Sequence, residues 1–314
     1  MAASDGDNGR LTLPQHRPAS VFVSIHVRGL LAPLLAAAFV PAASSATPVA
    51  NGLPSGFVLV RTGPAGGTVW EGRIPDRQVN DPRLSDVYLP PDFSPDLSYP
   101  VVIFLHGFWG SPSSFVHGLH LAETADNEIT AGRARPFIGV MPPGGPMTKT
   151  TEDEWAGVWE DYVVRDVVPW VDAHFNTVRS RSAIAGLSAG GYGAVDMGLR
   201  HLGMFHTLES WGGYFKPFLD GPFVDATPAV LRAHTPTLLT SREAPQLRKL
   251  RMRFFLSTGT SGHGDVKARW TFEFADELAA LRLPHKLWVL PLAKRGHLFR
   301  EQLPAAIDYA SPPR

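Results

Sequence analysis

A serine between small residues is the feature of this sequence that most directly indicates chemistry. Ser188 is the centre of Gly-Leu-Ser-Ala-Gly, residues 186–190, directly after the apolar run 183–185. A sharp strand-to-helix turn needs small residues two positions either side of its apex, and it exposes the apex hydroxyl at a helix N-terminus. Such a turn, a nucleophile elbow, makes Ser188 a candidate nucleophile. The pentapeptide also occurs in ordinary turns, so its context must supply the other groups.

Two backbone N–H groups are candidates for stabilising the negative charge that such a serine generates. The sequence His-Gly-Phe-Trp-Gly, residues 106–110, follows an apolar segment, 101–105, that predicts a buried strand. Open α/β sheets build their sites at the carboxyl ends of their strands. We therefore expect the N–H groups of Phe108 and Ala189 to form an oxyanion hole. An alternative is that Gly107 and Gly110 only shape a tight turn in this loop, and the turn is compatible with an oxyanion hole.

A base and an acid must lie downstream, because a serine hydroxyl is almost un-ionised at neutral pH. Among twelve histidines, His297 is favoured because it follows the last predicted strand, 285–290, at the expected sheet edge, and His263 is its rival. The orienting acid is expected on the loop after the preceding strand, where Asp265 is the only acidic residue. Capping of the next helix is an alternative role for Asp265. Glu273, on that helix, is the runner-up.

The composition excludes several classes of function. The chain has 314 residues, 44% of them hydrophobic, which is enough for one large α/β core or two small domains. Lys and Arg number 29, as do Asp and Glu, so no net charge attracts nucleic acid or an anionic membrane. The chain has no cysteine, which excludes disulfides, thiolate chemistry and cysteine-ligated zinc. The expected serine chemistry requires no metal and no other cofactor.

The N-terminal region resembles a secretory signal peptide. Arg28 precedes an apolar segment, 29–40, that is short and interrupted by proline, and Ser44 and Ala46 are small residues of the kind that signal peptidase accepts. We expect export with cleavage after Ala46, and no stable membrane span. The long polar leader, 1–20, favours a translation start further downstream. A tail followed by a buried helix is the alternative interpretation.

Strand-like and helix-like segments alternate along the rest of the chain, as is typical of one doubly wound α/β domain. We assign residues 1–46 to the leader and signal peptide, 47–66 to a linker and 67–314 to a catalytic domain, with 212–250 as a cap-like excursion over the sheet. Polarity patterns predict antiparallel strands at 68–74 and 84–89 and central parallel strands at 101–105 and 137–140. Further strands are predicted at 183–187, 205–211, 251–256 and 285–290, and helices at 112–132, 161–175, 189–201, 270–281 and 298–309.

The order serine, acid, histidine, with the loop at 106–110 upstream, resembles the α/β-hydrolase fold and its esterase D-like family. That family includes feruloyl esterases, enterochelin esterases, S-formylglutathione hydrolases and mycobacterial mycolyltransferases. The resemblance runs from about Leu84 to the C-terminus, through Trp-Glu-Asp-Tyr at 159–162 and Gly-Gly-Tyr at 212–214. It implies a mostly parallel sheet with antiparallel N-terminal strands and helices on both faces. It also implies a triad of Ser188, Asp265 and His297, with Phe108 and Ala189 as the oxyanion hole.

Taken together, these patterns predict a secreted serine carboxylesterase that acts through an acyl-enzyme on a small-molecule or polysaccharide-linked ester. An acyltransferase of the mycolyltransferase type and a non-catalytic binding protein on the same fold are the alternatives. Aromatic residues at loop edges are candidates for substrate binding, although a role in the core is the alternative for each of them. These candidates are Trp109, Trp159, Trp211 and Tyr214.

Overall fold

Alternating segments of the chain form strands that belong to one sheet. The computed structural model describes residues 52–79, 83–145, 155–260, 266–291 and 295–313, except for the side chains of 295 and 296. The strands within these ranges are β1 (Val58–Thr62), β2 (Thr68–Gly72), β3 (Ser85–Leu89), β4 (Val101–Leu105), β5 (Ile138–Met141), β6 (Ala183–Leu187), β7 (Thr207–Trp211), β8 (Arg253–Gly259) and β9 (His285–Leu290).

The sheet is mixed, with its antiparallel part at the N-terminal side. The strand order is β1-β2-β3-β5-β4-β6-β7-β8-β9. Pairing is antiparallel from β1 to β5 and parallel from β5 to β9. Every residue of β4, β6 and β7 is buried, as expected of apolar strands covered on both faces. The predicted doubly wound α/β-hydrolase architecture is confirmed.

Helices cover both faces of this sheet. The α-helices of the described ranges are α1 (Leu121–Thr130), α2 (Val158–Tyr162), α3 (Val168–His174), α4 (Ala189–Arg200), α5 (Pro228–Ala233), α6 (Pro236–Lys249), α7 (Val266–Ala280) and α8 (Arg295–Ala310). A π-helical turn joins α2 to α3, so the segment predicted as one helix at 161–175 is continuous. Buried side chains of α1 and α8 pack on one face, and those of α2, α3, α4, α6 and α7 on the other.

Two boundaries differ from the sequence-based prediction. The predicted linker, 47–66, contains β1, which pairs with β2 at the sheet edge. This strand is mostly exposed and lies among Gly and Pro residues, so its sequence lacks the alternation that marks a half-buried strand. The predicted excursion, 212–250, ends with α6, which contacts α4 and α7 and buries Leu239 and Leu247. The helix is therefore the crossover between β7 and β8, and only the residues before it lie outside the doubly wound layers.

The described residues contain no helix that is both long and apolar enough to cross a bilayer. The predicted signal peptide, 29–40, and its cleavage site after Ala46 lie outside the described residues.

Candidate active site

The turn at Ser188 has the geometry of a nucleophile elbow. Ser188 follows β6 and precedes α4, with φ 51° and ψ −109°, a conformation that residues other than glycine rarely adopt. Its N–H donates to the Trp211 carbonyl at 2.9 Å, which extends the pairing with β7 by one residue. Its carbonyl accepts the N–H of Tyr192 at 3.1 Å, which begins α4. The strained turn therefore fixes the hydroxyl at the carboxyl edge of the sheet and at a helix N-terminus.

Two glycines of the pentapeptide are sterically required. A Cβ at Gly186 would lie 2.1 Å from the Gly190 carbonyl oxygen, and a Cβ at Gly190 would lie 2.0 Å from the Leu105 carbonyl oxygen. Both clashes are with backbone, which cannot rotate away as a side chain could. The spacing of small residues around Ser188 thus reflects the tight packing of α4 against β6 and β4.

The loop after β4 lies directly against the elbow. A Cβ at Gly107 would come within 3.3 Å of the Ser188 Cβ and 2.9 Å of the Leu187 carbonyl oxygen. The Gly110 N–H donates to the Gly107 carbonyl at 2.9 Å, which closes a turn around Phe108. Ala189 is the first residue of α4, where backbone N–H groups have no acceptor within the helix. Phe108 and Ala189 thus lie on the two segments that meet at Ser188, and their role as oxyanion donors stays a prediction.

His106 is a structural residue of this loop. It is buried, its Nε2 accepts the Gly144 N–H at 2.9 Å, and its Nδ1 lies 3.0 Å from the Gly107 carbonyl oxygen. The Trp155 indole N–H donates to the His106 carbonyl at 2.9 Å. Burial lowers the pKa of His106 from 6.5 to about 4, and the positive charge of Arg83 contributes in the same direction. The imidazole is therefore neutral at physiological pH and fixes the loop through both ring nitrogens.

A lysine that the sequence patterns did not single out reaches the candidate nucleophile. Lys267, in the first turn of α7, places its ammonium 3.3 Å from the Ser188 Oγ. The same ammonium lies 4.8 Å from the centre of the Tyr214 ring and 5.6 Å from that of Phe218. The only signal in the sequence was that Lys267 follows β8 closely, at the edge where the other site residues collect. Among the described residues, it is the hydrogen-bond partner of the serine hydroxyl.

The structure places the predicted base at the same edge but not in contact with the serine. His297 lies in the first turn of α8 and is exposed. A Cβ on Gly212, just after β7, would lie 3.1 Å from Phe299 and 3.4 Å from Leu298, so this turn packs next to the elbow. Within the described part of the chain, no hydrogen bond joins His297 to Ser188. Their catalytic contact stays a prediction.

The candidate acid, Asp265, and the rival base, His263, lie outside the described residues. Glu273, the runner-up acid, is exposed on α7 and lies 3.5 Å from Arg269. This ion pair faces solvent, as expected of a helix surface rather than of a triad acid.

The four aromatic candidates for substrate binding differ in exposure. Trp109, in the loop beside the elbow, is 62% exposed. Tyr214 is buried, but its ring stacks on Tyr192 and lies under the Lys267 ammonium. Trp211 and Trp159 are buried within the two apolar layers, and the Trp211 indole donates to Glu209 at 2.9 Å. We therefore leave Trp211 and Trp159, which have the surroundings of core residues, out of the proposed site.

A network of charged side chains around two buried carboxylates, Glu160 and Asp196, connects α2 and α4 with the end of α5. Arg200 and His201 contact the Glu160 carboxylate at 2.5 and 2.6 Å, and His234 contacts Asp196 at 2.8 Å. Burial alone would raise the pKa of Glu160, but the His201 hydrogen bond and the charges of its partners hold it below its usual value. Ligand atoms of Glu160, Asp196 and His234 lie within 4.8 Å of one another, as a metal site would require. The Arg200 guanidinium already lies among them and supplies the positive charge.

A separate cavity of about 320 Å³ opens at the opposite edge of the sheet. Residues at the amino ends of β4 and β6, among them Val101 and Ser182, line it. Ser188 follows the other end of β6, six residues beyond Ser182 and so about 20 Å away at about 3.3 Å per residue. This cavity is therefore not part of the site around Ser188.

Comparison with known proteins identifies relatives of this arrangement. An esterase of Mycobacterium tuberculosis is 31% identical over 167 residues, which cover 45% of this chain and 34% of the relative. The chain thus spans about a third of the length of that relative. A ferulic acid esterase shares the fold with a TM-score of 0.66 at 19% identity, over 78% of this chain and 98% of the other.

Two further solved structures share the fold. An S-formylglutathione hydrolase from Agrobacterium tumefaciens has a TM-score of 0.62 at 17% identity, and covers 81% of this chain with 98% of its own. A fluorophosphonate-binding serine hydrolase of Staphylococcus aureus has a TM-score of 0.61 at 15% identity, with the same coverage of both chains. The family model described as Putative esterase matches residues 77–285, which include β3 to β8 and the elbow. By this match, the chain belongs to the putative esterase family.

Proposed function

We propose that this protein is an exported serine carboxylesterase in which Ser188 forms an acyl-enzyme. The observation that carries the proposal is the backbone at Ser188: φ 51° at a residue with a side chain, between two glycines that pack against backbone. Strain of this kind costs about 1–3 kcal/mol and persists where a function needs it. It holds a hydroxyl at the start of α4, where the helix dipole favours developing negative charge. Membership of the esterase family supports the same reaction.

The proposed reaction has two halves. The Ser188 Oγ forms a bond to the ester carbonyl carbon while His297 accepts its proton, and the N–H groups of Phe108 and Ala189 stabilise the oxyanion. The carbon–oxygen bond to the alcohol then breaks, and the alcohol leaves with the proton from the imidazolium. Water, deprotonated by His297, attacks the acyl-enzyme and releases the acid and the free serine. Asp265 holds the imidazole in the required tautomer.

The position of α8 supports His297 as the base. Its first turn packs on Gly212, and Gly213 in turn approaches the Ser188 carbonyl oxygen, which would lie 3.1 Å from a Cβ at Gly213. Hydrogen bonds of catalytic groups are often long in unliganded enzymes and shorten when substrate binds. Movement of the exposed His297 side chain into contact with the serine is therefore part of the proposal.

The proposed substrate is a small-molecule ester or an ester attached to a polysaccharide. The exposed Trp109 lies in the loop beside Ser188, and Tyr214 and Phe218 lie next to the ammonium that contacts the serine, so aromatic rings are available near an apolar or aromatic portion of such a molecule. A solved relative described as a ferulic acid esterase supports testing hydroxycinnamate esters first.

The test is hydrolysis of short p-nitrophenyl esters by purified protein and by Ser188→Ala. We expect kcat/KM to fall by about a thousandfold or more, because a triad loses nearly all of its effect when its nucleophile is removed. His297→Ala is expected to lose activity to a similar extent. Ser241→Ala is the matched control, since that hydroxyl lies on α6 and bonds to Glu277. Wild-type activity in Ser188→Ala, or labelling of another residue by a fluorophosphonate, would contradict the proposal.

A further inference from the structure

Three neighbouring strands of the sheet bring a group of arginines together at their amino ends. Arg181 comes shortly before β6, Arg251 shortly before β8, and Arg253 is the first residue of β8, while β7 lies between these two strands. The three arginines line one cavity of about 260 Å³, at the sheet edge opposite to Ser188. We call this cavity the arginine pocket, and its lining includes Arg135, Arg181, His206, Arg251, Arg253 and Ser311.

The positive charge of the arginine pocket has no negative counterpart in its lining. None of the described residues that line it is Asp or Glu. Within the described part of the chain, no hydrogen bond or ion pair engages the side chains of Arg181 and Arg251, which are exposed. Arg253 donates to two uncharged acceptors, the Thr207 hydroxyl at 3.1 Å and the Tyr309 carbonyl at 2.5 Å. These three guanidinium groups therefore concentrate positive charge on a chain whose net charge is zero.

The charge of Arg253 acts on the groups around it. Burial and the Arg253 charge together lower the pKa of the His206 imidazole below its usual value of 6.5. Burial raises the pKa of Glu209, two residues along β7 from Thr207, well above its usual range, which favours the uncharged carboxyl. Glu209 therefore offsets little of the Arg253 charge. The Arg253 guanidinium is also held in place, because it lies 4.5 Å from the centre of the Tyr309 ring.

From these observations we propose that the arginine pocket binds the phosphate group of a small molecule, at a site separate from Ser188. A guanidinium presents parallel N–H donors that match the oxygens of a phosphate. A phosphate monoester carries a charge of about −1.5 to −2 at pH 7, which suits a pocket with several cations and no acid. The volume lies just below the range of about 300–1,000 Å³ that is usual for ligand pockets, so a small molecule fits it.

The test measures binding of glycerol 3-phosphate by isothermal titration calorimetry at constant ionic strength, with glycerol and acetate as probes of the same experiment. We expect saturable binding of glycerol 3-phosphate and none of glycerol, because the two molecules differ only in the phosphate. Acetate, with a single negative charge, should bind more weakly. In Arg181→Gln and in Arg251→Gln the Kd of glycerol 3-phosphate should rise about tenfold, because each variant loses a hydrogen bond between charged groups.

Arg232→Gln is the matched control. Arg232 is exposed on α5, outside the pocket, and its replacement changes the net charge equally. An unchanged Kd in this variant assigns the effect to the arginine pocket. Ser188→Ala should also bind glycerol 3-phosphate as the wild type does, since the pocket lies at the other edge of the sheet.

The His206 imidazole provides a second readout, by NMR titration with and without glycerol 3-phosphate. A bound phosphate would oppose the charge of Arg253, so we expect the pKa of His206 to rise on binding. The inference would be overturned by a wild type that does not bind glycerol 3-phosphate, or by equal Kd values in Arg181→Gln, Arg251→Gln and Arg232→Gln. Loss of binding in Ser188→Ala, with an unchanged His206 pKa, would place the phosphate at the other site and would equally overturn it.

Discussion

At the scale of single residues, the shape of the site depends on glycine, whose lack of a Cβ lets backbone segments approach each other closely. Gly190 allows α4 to begin against the backbone of β4, and this contact sets the direction of the Ser188 hydroxyl. A methyl group there cannot be accommodated by rotation of a side chain, because its nearest neighbour is a carbonyl oxygen. Adding a methyl group at position 190 should therefore lower activity more than it lowers stability.

We expect Gly190→Ala to lower the free energy of unfolding by about 1–3 kcal/mol, the usual cost of overpacking. The fall in kcat/KM should be larger, about a hundredfold or more, because a displacement of about 1 Å in a catalytic group has that effect. Gly118→Ala is the control, since a Cβ at Gly118 has no neighbour within 4 Å. Urea unfolding and ester hydrolysis measure the two effects. Full activity in Gly190→Ala would show that α4 does not set the hydroxyl direction.

At the scale of elements, the loop after β4 is held by a neutral imidazole. His106 can accept the Gly144 N–H only while its Nε2 is unprotonated. Its pKa is lowered to about 4 in the folded protein, whereas an unfolded chain binds the proton near pH 6.5. Between these values the unfolded state holds more protons, so acid favours unfolding. Stability from this group is therefore complete above pH 6.5 and is lost as the pH falls toward 4.

His106→Gln should remove this pH dependence. We expect the difference in free energy of unfolding between the wild type and the variant to shrink by about 3 kcal/mol as the pH falls from 6.5 to 4. Urea unfolding at several pH values measures it, with exposed His117→Gln as the control. The comparison of variants cancels the opposite contribution of Asp86, whose pKa burial raises to about 7. If the free energy of unfolding depended on pH in the same way in the wild type and in His106→Gln, His106 would not be the source of the acid sensitivity.

The charge network between α2 and α4 leads to a second prediction about elements. Glu160 is buried and contacts Arg200 and His201, whereas its neighbour Asp161 contacts Arg165 at the surface, 3.1 Å away. Loss of the Glu160 carboxylate removes the hydrogen-bond acceptor of His201 and leaves Arg200 with Asp196, 3.9 Å away. We expect Glu160→Gln to lower the free energy of unfolding by about 1–3 kcal/mol and Asp161→Asn by less than about 0.5 kcal/mol. Equal effects in urea unfolding would show that burial of Glu160 has no energetic role.

At the scale of the whole molecule, the sequence predicts the architecture well because its signals are local and repeated. The predicted strands at 101–105 and 285–290 match β4 and β9 residue for residue, and the elbow is recognised from the spacing of its small residues together with the apolar strand before it. Edge strand β1 was missed because an exposed strand needs no alternating pattern. Helix α6 was missed because Pro245 and a polar composition obscure its apolar stripe.

The site was less predictable than the fold, because its members meet only after the chain has folded. Ser188 was identified from local spacing, whereas the only signal for Lys267 was its place closely after β8, which does not show that its ammonium reaches the serine. Likewise, Trp211 and Trp159 follow loop edges in the sequence, yet their side chains turn into the apolar layers. Side-chain direction depends on the packing of distant elements, which periodicity does not encode.

The proposed export of this protein makes a prediction about the whole chain. Residues 29–40 supply an apolar segment, and Ser44 and Ala46 supply the small side chains that signal peptidase requires. Expression in a bacterial secretion host should therefore yield extracytoplasmic protein whose N-terminus is Thr47, as read by N-terminal sequencing. Ala46→Phe should accumulate as an unprocessed precursor, because a bulky residue does not fit the peptidase, whereas Ala50→Phe, beyond the cleavage site, should be processed normally. Exported protein that keeps residues 29–40 would contradict cleavage, and retention of the wild-type chain inside the cell would contradict export.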